Sequence, residues 1–319
     1  MRQLKPDQVL SIVSPVYNEA EGVDEFVDAV LEVVRGLSEG MRLELILVND
    51  GSTDGTRAKL DALAVRHEGV VKAIHLTRNF GLCSAASAAI QYATGDVVVI
   101  MDADTQDDPA AIRQLLDAWK EGNDIVYVIR VRRKESRVLR FLTWSFYRIL
   151  RFMATLDVPL DAGSFALMDR RVVTVLAALP ERNRYLPGLR CWVGFRQVGI
   201  PVERKARPYG QSRQGLRSLW NLAIMAMFSF SFMPLFLFRL MAMGALAVAG
   251  FCMLLAIGQA LLGLPHGPWT FTVFLIAFFG GVNLLGISII GEYVALVFDE
   301  VRQRPLYVVD SITGKGPRG

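Results

Sequence analysis

The chain has 319 residues, 52% of them hydrophobic, and a mean hydropathy of +0.34, which excludes an ordinary soluble enzyme and calls for a segment in a membrane. The formal charge of +4 gives no argument for a nucleic-acid partner. Cys83, Cys191 and Cys252 have neither paired nor metal-ligand spacing, so free thiols are expected.

The N-terminal "MRQLKPDQVLSIV" has a short apolar run and no small-residue cleavage pattern, so no signal peptide is expected. Five apolar runs follow at 9–17, 43–50, 70–76, 97–104 and 124–131. Helical patterns lie between them at roughly 21–37, 54–67, 82–93 and 109–120. This alternation predicts an α/β fold with a mainly parallel sheet flanked by helices. Each of the first four runs ends in polar or acidic residues, and ligands of open α/β sheets bind at the carboxyl ends of strands, so those ends should line one cleft.

The first end is "PVYNE" (15–19) and the second is "NDGSTDGT" (49–56), which alone reads equally well as a tight turn with a helix cap. The fourth is "DADTQDD" (102–108). If that strand continued, Asp102 and Asp104 would point the same way, since side chains repeat every two residues. Two like charges so close call for a cation. Mg²⁺ or Mn²⁺ suits oxygen ligands, with Gln106 adding a carbonyl at the same spacing. Asp107 or Asp108 is expected to open the next helix at Pro109. An Asp at one strand end can read a uracil or ribose edge and an acidic pair at another can hold a metal diphosphate, which together make a nucleotide-sugar site.

Beyond Arg130 the alternation stops. Residues 136–153 pattern as a basic amphipathic helix that suits either a membrane interface or a core with a solvated face. A further stretch, 216–235, is expected to lie along the membrane surface. Two apolar segments, 240–264 and 269–298, are each long enough to cross a bilayer and are joined by "PHGPW". No Lys or Arg occurs from Leu240 to Val301, whereas Lys205, Arg207, Arg213, Arg217 and Arg239 precede this stretch and Arg302 and Arg304 follow it. Basic flanks stay cytoplasmic, which predicts a multi-pass protein of the inner membrane with both termini and the catalytic domain inside. The expected organisation is a cytoplasmic domain at 1–214, an interfacial helix at 215–235, a membrane hairpin at 236–301 and a cytoplasmic tail at 302–319. Asn283 and the small residues of "GGVNLLG" suit a helix–helix contact.

The segments "SIVSPVYNEAEGV", "LILVNDGSTDGT" and "LTRNFGLCSAASAAIQYATGDVVVIMDADTQDDP", with the terminal hairpin carrying "GEY", resemble the GT-A glycosyltransferases that charge polyprenyl phosphates. These are the bactoprenol glucosyltransferases and dolichol-phosphate mannose synthases, and the resemblance covers roughly residues 9–304. It implies that Pro15, Tyr17, Glu19 and Asp50, with Asp102, hold the nucleoside diphosphate, and that Asp102, Asp104 and Gln106 hold Mg²⁺ or Mn²⁺. It implies that Arg130, Arg140, Arg204, Arg207, Ser212 and Arg213 bind phosphate, with Asp102, Asp104, Arg130, Arg140 and Ser164 forming the catalytic group. Many bacterial relatives have Gly-Asp-Phe-Arg where this chain has "GSFA" (163–166), so the Asp sometimes proposed as a base is Ser164 and a common Arg is Ala166. The implied reaction is inverting transfer of one hexose, glucose from UDP-glucose in the leading reading, to undecaprenyl phosphate or a similar lipid phosphate. GDP-mannose or an aminosugar nucleotide is the alternative donor, and a non-catalytic membrane scaffold or lipid-flipping partner is the alternative class. A homo-tetramer through the membrane helices is implied on the same footing. A processive synthase is disfavoured, since no Gln-x-x-Arg-Trp motif is present.

Overall fold

A computed structural model of the chain describes residues 2, 8–37, 41–104, 106–130, 162–182, 184–202, 233–262 and 269–317. Two compact units divide the chain: Met1–Arg151 with Leu156–Trp220 and Arg304–Gly319, and Phe152–Thr155 with Asn221–Gln303.

In the first unit the apolar runs form strands and the helical patterns pack on them. In chain order these are β1 (Val9–Val16), α1 (Val23–Leu37), β2 (Arg42–Asn49), α2 (Thr56–Arg66), β3 (Val71–Leu76), α3 (Leu82–Tyr92), β4 (Val97–Ile100), α4 (Ala111–Lys120) and β5 (Ile125–Arg130). Then come β6 (Ala162–Asp169), α5 (Arg170–Ala178), α6 (Leu186–Trp192) and β7 (Gln197–Val202). The last strand, β8 (Val309–Thr313), lies in the stretch expected to be a tail.

The sheet order is β7-β5-β6-β4-β1-β2-β3-β8. β1 pairs in parallel with β2 and β4, β2 with β3, and β5 with β7. β6 runs antiparallel between β4 and β5, and β8 runs antiparallel along β3. The expected mainly parallel α/β sheet is therefore present. Its topology brings the carboxyl ends of β1, β2, β3, β4 and β5 and the amino end of β6 to one edge.

Every residue of β1 and of β4 is buried, as helices on both faces of a parallel sheet require. On α1 the buried residues Val23, Phe26, Val27, Val30 and Leu31 recur at helical spacing, and on α4 Ala111, Ile112, Leu115, Leu116 and Trp119 do the same. Side chains from both helices and the sheet join in one core. Asp169 ends β6 and caps α5 by accepting the Arg171 N–H at 3.1 Å. Its other oxygen accepts the Trp119 indole N–H at 3.0 Å, so one carboxylate ties β6 to α4.

The second unit contains α7 (Met233–Leu261) and α8 (Trp269–Val301). Within them Leu235–Leu255 and Phe278–Val301 are long and apolar enough to cross a membrane. Large apolar side chains such as Leu246, Leu254, Leu284 and Ile287 are exposed along them. The two helices touch where Gly286 of "GGVNLLG" faces the Phe238 ring, and an added Cβ would lie 2.0 Å from that ring. Asn283 is exposed on α8.

Candidate active site

At the sheet edge the loops after β1 and β2 are laced together. Asn18 adopts φ +52°, and its N–H donates to the Ser52 hydroxyl at 2.9 Å. Its side-chain oxygen accepts the Thr53 N–H at 2.7 Å. The Glu19 N–H donates to the Thr56 hydroxyl at 3.0 Å, and the Ala20 N–H reaches Asp54 at 3.4 Å. Burial works to raise the Asp54 carboxyl, but bonds from the Thr56 hydroxyl and from backbone N–H groups outweigh it and hold the group below 3.8. Most of the polar side chains of "NDGSTDGT" are thus used to shape the chain that carries Tyr17 and Glu19.

Asp50 follows β2 and is 3% exposed. One carboxylate oxygen accepts the Phe80 N–H at 2.7 Å and the other accepts the Gly81 N–H at 3.0 Å. Burial pushes its carboxyl upward against those bonds and the nearby Arg78 charge. Beside it, Gly51 has φ +64°, and a Cβ there would fall 2.3 Å from the Arg78 carbonyl carbon. Only glycine allows that approach of two backbones. Arg78 itself is exposed, its guanidinium carbon 4.2 Å from the Phe80 ring centre. The loop at 78–81 is therefore part of this edge.

The acidic group after β4 is arranged differently from the expectation. β4 ends at Ile100, so Asp102 and Asp104 lie beyond the strand, Asp104 in a bend, and strand alternation does not set their directions. Two side-chain bonds hold the acids instead, one long-range and one local. Asp102 accepts the Ser164 hydroxyl at 3.1 Å, and Asp104 accepts the Gln106 N–H at 3.2 Å. Both acids are half-buried, while Asp107 is buried. Asp108 accepts the Ala110 N–H at 3.1 Å, which makes it the acid that opens the turn into α4, with the helix starting at Ala111.

Of the residues singled out in the sequence, the structure brings Asp102 and Ser164 into contact and sets Pro15, Tyr17, Glu19, Asp50, Asp104 and Gln106 at or just beyond the same strand ends. The backbone of Arg130 closes β5 at this edge; its side chain lies outside the described part. Arg140, Arg204, Arg207, Ser212 and Arg213, and the amphipathic stretch 136–153, lie outside the described residues. Ala166 is fully buried between β4 and β5. Arg190 on α6, which no motif marks, is 3% exposed and donates to the Gly163 carbonyl at 2.8 Å.

Residues 11–176 match the family model Glycosyl transferase family 2. The uncharacterized glycosyltransferase sll0501 of Synechocystis is 40% identical over 311 residues, covering 96% of this chain and 96% of the relative. The uncharacterized glycosyltransferase YkcC of Bacillus subtilis is 35% identical over 309 residues, or 95% of this chain and 94% of its own. The SfII prophage-derived bactoprenol glucosyl transferase of Shigella flexneri is 34% identical over 305 residues, or 94% of this chain and 97% of its own. The mainly parallel sheet with β6 inserted antiparallel is the GT-A-like domain of such enzymes, and the chain, a glycosyltransferase, belongs to glycosyl transferase family 2.

Proposed function

We propose that the protein is a membrane-bound inverting transferase that moves one hexose, glucose from UDP-glucose, onto undecaprenyl phosphate or a similar polyprenyl phosphate. The observation that carries this reading is the meeting of Asp102 with Ser164 beside Asp104, at the edge where Asp50 and the β1 loop also end. Near-full-length likeness to a bactoprenol glucosyl transferase supports the lipid phosphate acceptor. The apolar stretches Leu235–Leu255 and Phe278–Val301 support a seat in the membrane, and the basic residues flanking them support a cytoplasmic site.

Two carboxylates and an amide carbonyl are the donor set of a hard divalent cation, so Asp102, Asp104 and Gln106 fit Mg²⁺ or Mn²⁺. When bound, that ion neutralises charge on the departing nucleoside diphosphate. The remaining work falls to the chain. Ser164 donates to Asp102 and so orients a carboxylate instead of abstracting a proton. Asp50 braces the loop at 78–81, while Pro15, Tyr17 and Glu19 stand where the nucleoside would lie. The acceptor phosphate monoester is already anionic at neutral pH, so attack needs alignment and no general base. Arg130, Arg140, Arg204, Arg207, Ser212 and Arg213 supply that alignment, arginine being suited to bidentate phosphate contacts.

The test offers the purified full chain a panel of nucleotide sugars with a short polyprenyl phosphate and Mn²⁺, and identifies the lipid product by mass spectrometry. A lipid phosphohexose from UDP-glucose is expected. A product from GDP-mannose or an aminosugar nucleotide alone reassigns the donor, and no lipid product from any donor overturns the reading in favour of a scaffold.

A further inference from the structure

We infer that Arg190 is a positioning residue of this site, fixing Ser164 through the Gly163 carbonyl and thereby fixing the orientation of Asp102. The inference rests on the reading of Asp102 as a ligand of the metal diphosphate. It starts from an irregularity in the sheet. Ile129 pairs with Ala162 and Tyr127 with Ala166, so four residue steps on β6 face two on β5. The surplus falls at Gly163, Ser164 and Phe165. Such bulges release backbone groups from the ladder and re-aim side chains, and here the side chain that turns is Ser164, 3.1 Å from Asp102.

The Gly163 carbonyl takes its hydrogen bond from Arg190 Nη2 at 2.8 Å. The guanidinium also stands 5.8 Å from the centre of the Tyr127 ring, on the β5 side of the same bulge. One residue of α6 therefore holds both strands where they fall out of register. The choice of residue is costly. Arg190 is 3% exposed, its Nη1 is buried with no hydrogen-bond partner, and no carboxylate pairs with it among the described residues. Burial lowers its pKa to about 10, so it stays charged at neutral pH. Burying a cation without a counter-charge is unfavourable, which a mere need to satisfy one carbonyl does not justify, since a neutral amide would do that. A planar, rigid donor clamped over a ring holds a carbonyl in one orientation, and that orientation decides where the next side chain points.

The experiment measures binding of uridine diphosphate to the full chain in detergent by calorimetry, with Mn²⁺ and with EDTA. Arg190→Gln and Ser164→Ala are each expected to weaken the Mn²⁺-dependent binding by about tenfold, and the double variant by no more than either alone, because coupled residues are not additive. The loss should be smaller in EDTA in all three. Arg190→Lys, which keeps the charge and one donor, should lose about threefold, and that loss should vanish when Ser164→Ala is already present. The lysine series answers the question should the glutamine variant fail to fold. Full additivity, or wild-type Mn²⁺-dependent binding in Arg190→Gln, overturns the relay. Wild-type Mn²⁺-dependent binding in Asp102→Asn overturns the underlying metal reading instead, and the two failures are thereby separated.

Discussion

The loops after β2 and β4 are both rich in Asp and both follow a buried parallel strand, yet Asp50 and Asp102 are held by different partners. After β2, Asp50 and Asp54 accept backbone N–H groups from Phe80, Gly81, Thr56 and Ala20, which fixes the course of three loops. After β4, Asp102 is held by the Ser164 hydroxyl from the neighbouring strand β6, and Asp104 by the Gln106 N–H two residues on. An acid that serves the backbone sets shape. An acid oriented by another side chain at the open end of the sheet is set for a ligand. Composition alone does not separate the two; donor type sets Asp102 apart from Asp50, whereas Asp104 accepts a backbone N–H and Asp54 also takes the Thr56 hydroxyl.

The largest test of that contrast is Asp102→Asn or Asp104→Asn. If they hold the metal diphosphate as proposed, either should lower transfer by about 10²–10³-fold. The thermal midpoint should stay near that of the wild type for Asp102→Asn, whose Ser164 partner is a hydroxyl, and fall slightly for Asp104→Asn, which accepts the Gln106 N–H. Full activity in Asp104→Asn would remove it from the metal group, and a collapse of the midpoint would make it a scaffold acid like Asp50.

Gly51→Ala probes the other loop. A Cβ at Gly51 meets the Arg78 backbone at 2.3 Å and the residue sits at φ +64°, so the substitution should cost about 2–3 kcal/mol of stability and shift the 78–81 loop. Thermal or denaturant unfolding measures the first effect. The second should appear as weaker uridine diphosphate binding with and without Mn²⁺, in contrast to the metal-dependent loss expected at Asp102.

Much of this division was hidden in the sequence for physical reasons. β1 to β5 were legible because helices on both faces demand unbroken apolar runs, and α1, α2 and α4 because their buried residues recur at helical spacing, whereas α3 buries a continuous run from Ala85 to Ile90. β6 was missed because "AGSFALMD" begins with small and polar residues that belong to its bulge. β7 is half-buried, with a Gly and a Pro at the sheet edge, and so lacks both strand signatures. β8 follows an apolar helix and pairs with β3 more than two hundred residues earlier, a distance no local pattern reports. Asp102, Asp104 and Gln106 were visible as polar residues closing an apolar run. The Ser164 bond to Asp102 spans 62 positions, and the donors to Asp50 are backbone N–H groups, which carry no letter in a sequence.

The smallest effect concerns how β8 is fastened, and it extends the contrast to a carboxylate far from the site. Asp61 on α2 accepts the Thr313 hydroxyl of β8 at 2.5 Å and lies 3.1 Å from His75 Nε2 on β3. Asn49 turns its oxygen to the Ser52 N–H and its amide nitrogen to His75 Nδ1 at 3.1 Å. Nδ1 is then the acceptor and Nε2 the donor to Asp61. Burial works to raise the Asp61 carboxyl, yet the Thr313 hydroxyl, His75 and Arg57 together hold it below 3.8. A carboxyl held down in the folded state contributes stability that is present above its unfolded value and is lost as pH falls through the folded one. Thr313→Val should therefore destabilise by about 0.5–1 kcal/mol at neutral pH, a modest loss for a partly exposed bond. That deficit should shrink as pH falls from about 5 to below 4, where protonation removes the same bond's charge assistance from the wild type. Unfolding curves of the two proteins followed across that range should converge; a constant gap would mean that Thr313 fastens β8 by packing and that the Asp61 carboxylate plays no part.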